Sequence, residues 1–249
     1  MLLKAVVREV PSSYPKLYFS KGINIDLDLA RKQHFKYIES LKWLGLKVDT
    51  LPASEKFSDC VFIEDTAVVN DNKTIITYMG SDYRRGEVDE VKNYFRKSNE
   101  VIEMVPPALL EGGDVLRTDK ELYVGISNVT NDLALKYLKM IFDSYIIIPI
   151  PINKTLHLKT ACTYIGRNVI LICEDLLQSN FFKKFDIISV PKEESYAANC
   201  IGIQDKVIVP VGAIKTISMI KNKGFEVKTV PISEFVKGEG SLTCLSIIY

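Results

Sequence analysis

The chain has 249 residues, of which 47% are hydrophobic and 25% are charged. These proportions are those of ordinary globular proteins, so a disordered or collagen-like chain is excluded. Lysine and arginine together number 32 and aspartate and glutamate 31, and the two signs are interspersed along the chain. The net charge of +1 therefore gives no basis for binding nucleic acid or an anionic membrane.

The chain lacks the features of a membrane or secreted protein. No apolar run approaches the roughly 20 residues that a membrane helix needs, and the first seven residues are too short and strand-like for a signal peptide. The five cysteines are odd in number, have no C-x-x-C spacing and stand mostly in apolar runs (Cys60, Cys162, Cys173, Cys200 and Cys244). We expect buried thiols rather than disulfides or zinc ligands, a cytoplasmic location, and one domain over residues 1–249.

Short strand-like runs alternate with stretches of helical periodicity, which predicts an α/β protein. The chain begins with a strand at 5–10 and an amphipathic helix at 28–46. Four hairpins follow, with polar turns at 71–73, 119–121, 166–168 and 204–206. Each hairpin leads into a predicted helix, at 87–97, 131–142, 174–183 and 213–223. Each helix leads into a further strand, at 101–105, 145–150, 187–190 and 225–231, and a last strand is predicted at 241–248.

This order is a ββαβ unit that repeats along the chain. The second strands of the hairpins begin near Lys73, Glu121, Arg167 and Lys206, so the spacings between them are 48, 46 and 39 residues. With the incomplete N-terminal copy, the pattern indicates about five units. Neither end resembles a polar capping repeat, which favours a closed, pseudo-symmetric five-bladed propeller over an open solenoid.

Polar residues recur at one position of the repeat, seven to ten residues before the second strand of each hairpin. They are Glu64 and Asp65, Glu111, His157 and Asn199, and Cys244 lies in the last predicted strand. Equivalent positions in a ring of repeats face the common axis. We therefore expect these residues to converge on one central pocket, although they are spread over 180 positions.

Cysteine, histidine and carboxylates brought together form a nucleophilic site: the thiolate attacks, the histidine moves protons and a carboxylate orients the histidine. Taken singly, Cys244 is typical of a small buried hydrophobic residue, and Glu111-Gly112-Gly113-Asp114 of an ordinary turn. The carboxylates at 59, 64 and 65 flank a strand that should be buried. Buried carboxylates need a partner, so a cationic ligand is a natural candidate.

Six segments resemble those of the dimethylarginine dimethylaminohydrolases, in family order over nearly the whole chain. They are SDCVFIEDTAVV at 58–69, YRRGE at 83–87, LEGGDVL at 110–116, HLKT at 157–160, AANCI at 197–201 and GSLTCLS at 240–246. Each segment is short, but six in register are specific. The resemblance implies the guanidino-group-modifying superfamily and its five-bladed pentein fold, in agreement with the repeat.

The resemblance also implies roles for individual residues. It implies Cys244 as the nucleophile, His157 as general acid and base, and Glu111 as the carboxylate that holds His157. The matching substrate-binding positions are Asp59, Glu64 and Asp65 for the guanidinium group, Arg84 for the substrate carboxylate and Glu239 near the substrate amino group. Neither a metal nor another cofactor is implied, although zinc could bind such a pocket adventitiously.

One position departs from the family pattern Ser-x-Arg-Thr-Asn, which reads Ser127-Asn128-Val129-Thr130-Asn131 in this chain. Val129 therefore replaces a second carboxylate-binding arginine, and each charged hydrogen bond of such a pair contributes about 1.5–3 kcal/mol. Either Arg85 or a lysine compensates, or the substrate is a guanidine without that carboxylate, such as agmatine.

The implied reaction is hydrolysis of dimethylarginine or monomethylarginine to citrulline and an amine, through a thiouronium on the cysteine. A deiminase that acts on arginine or agmatine is the alternative, and an amidinotransferase ranks below it. A non-catalytic pentein binding module is the alternative from another class. The partner expected is a small guanidino substrate, and the assembly that we allow for is a homodimer.

Overall fold

Three-stranded sheets, each with its own crossover, build the protein. The computed structural model describes residues 3–17 and 23–249, and over these residues it contains five such sheets. We call each sheet and its crossover a blade. The first blade contains β1 (Lys4–Arg8), the helix α1 (Leu27–Trp43) and β2 (Lys47–Leu51). Because β1 and β2 pair in parallel, α1 is the crossover between them.

The next blades follow in chain order and share one topology. The second has β3 (Ala67–Asn70), β4 (Lys73–Ile76), α2 (Val88–Phe95) and β5 (Glu100–Glu103). The third has β6 (Val115–Arg117), β7 (Glu121–Ile126), α3 (Asp132–Ile141) and β8 (Ile146–Pro151). In both blades the first two strands are antiparallel and the last two are parallel, as the ββαβ unit predicts.

The fourth and fifth blades lead to the closure of the ring. The fourth has α4 (Leu158–Ala161), β9 (Cys162–Gly166), β10 (Val169–Ile172) and β11 (Asp186–Ser189). The fifth has β12 (Ile201–Ile203), β13 (Lys206–Pro210), α5 (Ile214–Asn222) and β14 (Glu226–Val230), and α6 (Ser233–Val236) follows it. The chain ends in β15 (Ile247–Ile248), which pairs antiparallel with β1 and completes the first blade. This pairing confirms the predicted ring.

Local sequence explains where several elements begin and turn. Asp26 caps α1 by accepting a hydrogen bond from the backbone of Leu29, and Asn131 caps α3 in the same way. Asp71 and Asn168 stand in hairpin turns with positive φ angles of 51° and 60°. Aspartate and asparagine tolerate this left-handed conformation better than most residues do, which is why these turns reverse the chain so sharply.

The predicted helix at 174–183 is wrong, because the structure has only a short 3-10 turn there, Ser179–Phe182. The apolar residues that imitate a helical period are anchored differently. The backbone of Leu176 and Leu177 donates to the carbonyl of Cys173, and Leu177 and Phe182 are buried in the core of the fourth blade. Burial of a loop, rather than of a helix face, produces the pattern.

Each blade begins with a short helical turn close to the axis, which we call an inner turn. The inner turns are Ile63–Thr66, Gly112–Asp114, α4, Lys192–Ala198 and Thr243–Leu245. The polar residues expected within first strands therefore lie in or beside these turns, and the predicted strand at 241–248 is reduced to β15. The polar residues lie at equivalent positions of the repeat, as predicted, but short helical turns rather than strands carry them.

Hydrogen bonds beside the axis join every blade to the next. They run from Thr243 to Glu64 (2.9 Å), from Gly113 to Asp65 (3.0 Å), from Leu158 to Asp114 (2.9 Å), from Cys200 to Thr163 (3.3 Å) and from Thr243 to Asn199 (2.9 Å). The inner turns consequently form a continuous polar ring inside an apolar framework.

Two further observations concern the thiols and the helices. All five cysteines are free, and Cys244 is partly exposed while the other four are buried. Among the helices of the described residues, none has both the length and the apolar character required to cross a membrane.

We predict that His34 lowers stability in acid. The side chain is buried between Tyr37 and Phe235, its Nε2 has no hydrogen-bond partner among the described residues, and burial lowers its pKa from 6.5 to about 4. The unfolded chain then binds this proton more readily, so stability falls as the pH drops from 6.5 towards 4, by about 3 kcal/mol in total.

Urea unfolding of wild type and His34→Phe at pH 7.5, 5.5 and 4.5 checks this. The difference between the two proteins should move in favour of His34→Phe as the pH falls, and the comparison at pH 7.5 is the reference because His34 is neutral there in both states. A difference that is constant with pH contradicts the prediction.

Candidate active site

A buried histidine and glutamate form a short polar contact at the axis. His157 directly precedes α4, and its Nε2 lies 2.7 Å from Oε2 of Glu111. The other carboxylate oxygen of Glu111 accepts a hydrogen bond of 3.0 Å from the backbone of Ser81. The structure thus brings together the pair that the sequence assigned to proton transfer, from inner turns of two adjacent blades.

The surroundings of His157 favour its charged form. Burial alone would lower its pKa, but the charge of Asp65, the hydrogen bond with Glu111 and the charge of Asp114 outweigh burial and raise the pKa to about 9. Its ring packs directly on Gly113: a Cβ atom added there would lie 2.6 Å from Nδ1. Glycine at 113 is therefore required for the position of the imidazole.

Asp65 connects this pair to the rest of the site. Its Oδ1 accepts from the backbone of Gly113 at 3.0 Å and lies 3.8 Å from Nε2 of His157, while its Oδ2 accepts from Arg84 at 2.7 Å. Burial would raise the pKa of Asp65, but the charges of His157 and Arg84 and these hydrogen bonds outweigh it and lower the pKa. Asp65 is therefore a buried, ionised carboxylate.

Arg84 lies behind Asp65, with its guanidinium group in contact with protein atoms. Besides Asp65, it donates to both carboxylate oxygens of Glu87 and, over 2.8 Å, to the carbonyl of Phe62. Only 6% of the residue is exposed. The expected contact of Arg84 with a substrate carboxylate would require these ion pairs to break, so in this arrangement Arg84 supports Asp65 instead.

Glu64 is engaged in a second ion pair on the axis. Its carboxylate lies 2.5 Å from Nζ of Lys159 and accepts a hydrogen bond of 2.9 Å from the hydroxyl of Thr243. A cavity of about 180 Å³, lined by residues of β3, β6, β9, β12 and β15, includes Glu64 and Lys159 in its lining but neither Cys244 nor His157. The ion pair therefore contributes to the lining of this cavity.

Cys244 lies in the middle of the inner turn Thr243–Leu245 and is partly exposed between the buried residues Leu242 and Leu245. Its sulfur accepts a hydrogen bond of 3.5 Å from the backbone of Ser241. Burial and the negative charges of Glu64 and Asp65 raise the pKa of the thiol to about 12. A cation bound among these carboxylates would offset both effects and favour the thiolate.

The last two predicted positions differ in their surroundings. Asp59 is buried, accepts a hydrogen bond of 3.2 Å from Ser58, and has its pKa raised by burial. Glu239 is exposed, with a φ angle of 60°, between two glycines that pack against Phe62. Asp59 is thus buried like Glu64 and Asp65, and we call these three carboxylates the acidic group. Glu239 lies at the surface.

Val129 packs against a glycine, and the expected substitute cation, Arg85, has partners of its own. A Cβ atom on Gly80 would lie 2.5 Å from Cα of Val129, so Val129 packs tightly on the loop whose next residue binds Glu111. Nearby in sequence, Arg85 donates to the carbonyl of Met79 at 2.9 Å and pairs with Asp82 at 2.5 Å. Arg85 is partly exposed, and the Asp82 side chain with which it pairs is largely exposed.

Asp65, Glu111 and His157 could in principle hold a metal ion, since their ligand atoms lie within 4.8 Å of one another. Each of these atoms is already engaged with another member of the group, with Arg84 or with a backbone N–H. We interpret the group as a proton-transfer site.

Two contributors were not assigned from the sequence, Lys159 and Glu87. Both stand inside the segments HLKT and YRRGE that carry the family resemblance. The pair of Lys159 with Glu64 could not be deduced from spacing, because the two residues are 95 positions apart. The pair of Glu87 with Arg84, three positions apart, has a local signal in the sequence that was not used.

Comparison with known proteins identifies a family. Residues 16–247 match the family described as N,N dimethylarginine dimethylhydrolase, eukaryotic. The chain is 32% identical to an N(G),N(G)-dimethylarginine dimethylaminohydrolase of Pseudomonas aeruginosa, over 89% of each chain. It is also 32% identical to the protein of that name in Streptomyces coelicolor, over 90% of this chain and 87% of that one.

Solved structures agree. A mutant of the Pseudomonas aeruginosa protein in complex with citrulline superimposes with a TM-score of 0.94 over the whole of both chains, at 29% identity. The N-terminal domain of a cyanobacterial arginine dihydrolase superimposes with a TM-score of 0.90 over 99% of this chain and 97% of that one. At 18% identity, the second match shows the fold alone.

We predict that Glu111→Gln lowers the pKa of His157 from about 9, because the substitution removes a buried negative charge at 2.7 Å. The decrease should be about one pH unit or more. A pH titration followed by NMR on the Cε1–H signals measures it, since the chain has only two histidines. The His34 signal is the internal control, and an unmoved His157 midpoint in the folded variant refutes the assignment.

Proposed function

Because the chain belongs to the N,N-dimethylarginine dimethylaminohydrolase family, we propose that it hydrolyses the guanidinium group of an N-methylated arginine to citrulline and methylamine or dimethylamine. The observation that carries the proposal is the buried hydrogen bond of 2.7 Å between His157 and Glu111, on the polar ring that also holds Cys244. It supplies a proton-transfer group on the same ring of inner turns as the thiol.

Binding comes first in the proposed mechanism. The carboxylates of the acidic group attract a guanidinium cation, and the ionised Asp65 accepts hydrogen bonds from its N–H groups. This contact places the guanidinium carbon against Cys244 and replaces diffusion by proximity. The positive charge of the substrate, together with that of His157, lowers the pKa of the thiol, so substrate binding itself generates the nucleophile.

Two chemical steps follow. The Cys244 thiolate adds to the guanidinium carbon, His157 donates a proton to the departing methylated amine, and the carbon–nitrogen bond breaks to leave an S-alkylthiouronium. Neutral His157 then takes a proton from water as the oxygen adds to the same carbon. Cleavage of the carbon–sulfur bond regenerates the thiolate, and the new hydroxyl group gives its proton to the released amine or to solvent. The ureido product then leaves, with His157 again protonated.

A guanidine without an α-carboxylate is the second candidate, and Val129 is the observation that favours it. Val129 offers no charge, and both neighbouring arginines are paired with carboxylates. Agmatine would need no cation at this position, whereas an arginine derivative would need Arg85 to leave Asp82.

The location and assembly follow as further proposals. Five free thiols support a reducing compartment such as the cytoplasm. The homodimer stays a prediction.

We predict that the purified protein releases a ureido product from asymmetric dimethylarginine or monomethylarginine and that Cys244→Ser abolishes this. Arginine and agmatine are assayed in parallel. Cys173→Ala, which removes a buried thiol directly after β10, is the matched control and should retain activity. Turnover of arginine or agmatine alone makes the protein a deiminase, and no turnover of any of the four contradicts the proposal.

We further predict that Gly113→Ala lowers kcat by about 100-fold or more, because the added methyl group would displace the His157 ring by a large fraction of an ångström. Steady-state kinetics and thermal unfolding are measured together. Gly45→Ala is the control: Gly45 has a φ angle of 91° and open space at its Cβ position, so this variant loses stability but should keep its activity. Equal kcat in Gly113→Ala and wild type would contradict the assigned role of His157.

A further inference from the structure

We propose that Glu87 is a positioning residue for the candidate active site, acting through Arg84 and Asp65 to keep the imidazole of His157 in its charged form. No role for Glu87 follows from the reaction itself, since it contacts neither the thiol nor the histidine. The catalytic consequence of the proposal rests on the proposed function, but its structural content does not.

Glu87 is bound in the most extensive ion pair of the region. Only 1% of the residue is exposed. Its two carboxylate oxygens accept from Nε of Arg84 at 3.1 and 3.2 Å, and one of them also accepts from Nη2 at 2.9 Å. This fork holds the guanidinium plane through two nitrogens, which is the geometry that fixes an arginine most firmly.

The remaining nitrogen of that fork reaches the active site. Nη1 of Arg84 donates to Oδ2 of Asp65 at 2.7 Å, and Nη2 donates to the carbonyl of Phe62 at 2.8 Å. The opposite oxygen of Asp65 lies 3.8 Å from Nε2 of His157. Glu87, Arg84, Asp65 and His157 therefore alternate in charge along one continuous buried path.

Glu87 reduces the effect of the positive charge of Arg84 on Asp65. The positive charge of Arg84 is shared between two carboxylates, Glu87 and Asp65. Without Glu87, the full cation would neutralise Asp65, and Asp65 is the carboxylate whose charge most favours protonated His157. Sharing the cation leaves Asp65 enough negative charge to act on His157 and on a bound guanidinium group.

The outer end of the path is anchored as well. Nη2 of the buried Arg8 donates to the backbone carbonyl of Glu87 at 3.3 Å and pairs with Glu90 at 3.3 Å. Glu90 is on α2 and is about half exposed. The network thus fixes the backbone of Glu87 from the first blade, while its side chain acts towards the axis.

The other ionisable groups that act on His157 are not themselves altered by a substitution at Glu87. Glu111 and Asp114 act on it from the third blade, and Asp65 acts from the second. The ion pair between Glu64 and Lys159 lies two residues further along α4. A change confined to Glu87 therefore reaches His157 only through Arg84 and Asp65 or through its own charge across them.

The test is an NMR pH titration of the two histidine Cε1–H signals in wild type, Glu87→Gln, Glu87→Asp and Glu103→Gln. Glu103 is a matched control, because it is a glutamate of the same blade that is likewise ion-paired, with Lys92 and Arg96, but is exposed. In Glu87→Gln we expect the His157 midpoint to fall by about half a pH unit or more, with the His34 midpoint unmoved. Glu87→Asp should be intermediate, since the shorter side chain keeps its charge but cannot form the full fork.

Each outcome decides the proposal. An unchanged His157 midpoint in a folded Glu87 variant overturns it, as does an equal fall in Glu103→Gln. If Glu87→Gln does not fold, the midpoint in Glu87→Asp decides alone. The measurement needs no turnover, so it separates this proposal from the proposed function: absence of activity in the wild-type protein would refute the latter and leave the titration result standing.

Discussion

The antiparallel pairing of β15 with β1 is the constraint on which the rest of this structure depends. It joins the last residues of the chain to the first strand and so converts a series of repeats into a closed ring. Closure brings the inner turns of all five blades to one axis, although the polar residues that they carry come from positions as distant as Glu64 and Cys244. An open solenoid of the same units would leave these residues in a row.

The same closure explains why the axis is polar inside an otherwise apolar framework. The inner turns are too short to satisfy their own backbone groups, and side chains from neighbouring turns complete them, as Asp65 does for Gly113 and Asp114 for Leu158. These carboxylates therefore complete the hydrogen bonds of the inner turns and also place negative charge at the axis. Burial, followed by the negative charges of Glu64 and Asp65, raises the pKa of the Cys244 thiol, and these charges favour a cationic ligand.

Under the proposed function, different parts of the site would serve the two ends of the substrate. Around Asp65 and His157 the side chains are ionised or hydrogen-bonded, which suits attack at a guanidinium carbon. Val129 packs tightly on Gly80, so a substrate tail at this position would meet an uncharged side chain. Reaction at the carbon and selection of the tail would then be separable properties of the site.

The repeat, the α/β class, the ring and the identities of the polar residues at the axis could all be predicted from the sequence. This was possible because hydrophobic period and turn residues are local properties, and equivalent positions of a repeat face the same way. The prediction misjudged the segment at 174–183 and placed Cys244 in a strand, since buried loops and short helical turns imitate the apolar patterns of regular elements. The pair of Arg84 with Glu87 spans three positions and is local to the chain. The pairs of Arg84 with Asp65 and of Lys159 with Glu64 come from the tertiary structure, because packing of the turns around the axis brings side chains 19 and 95 positions apart within hydrogen-bond distance.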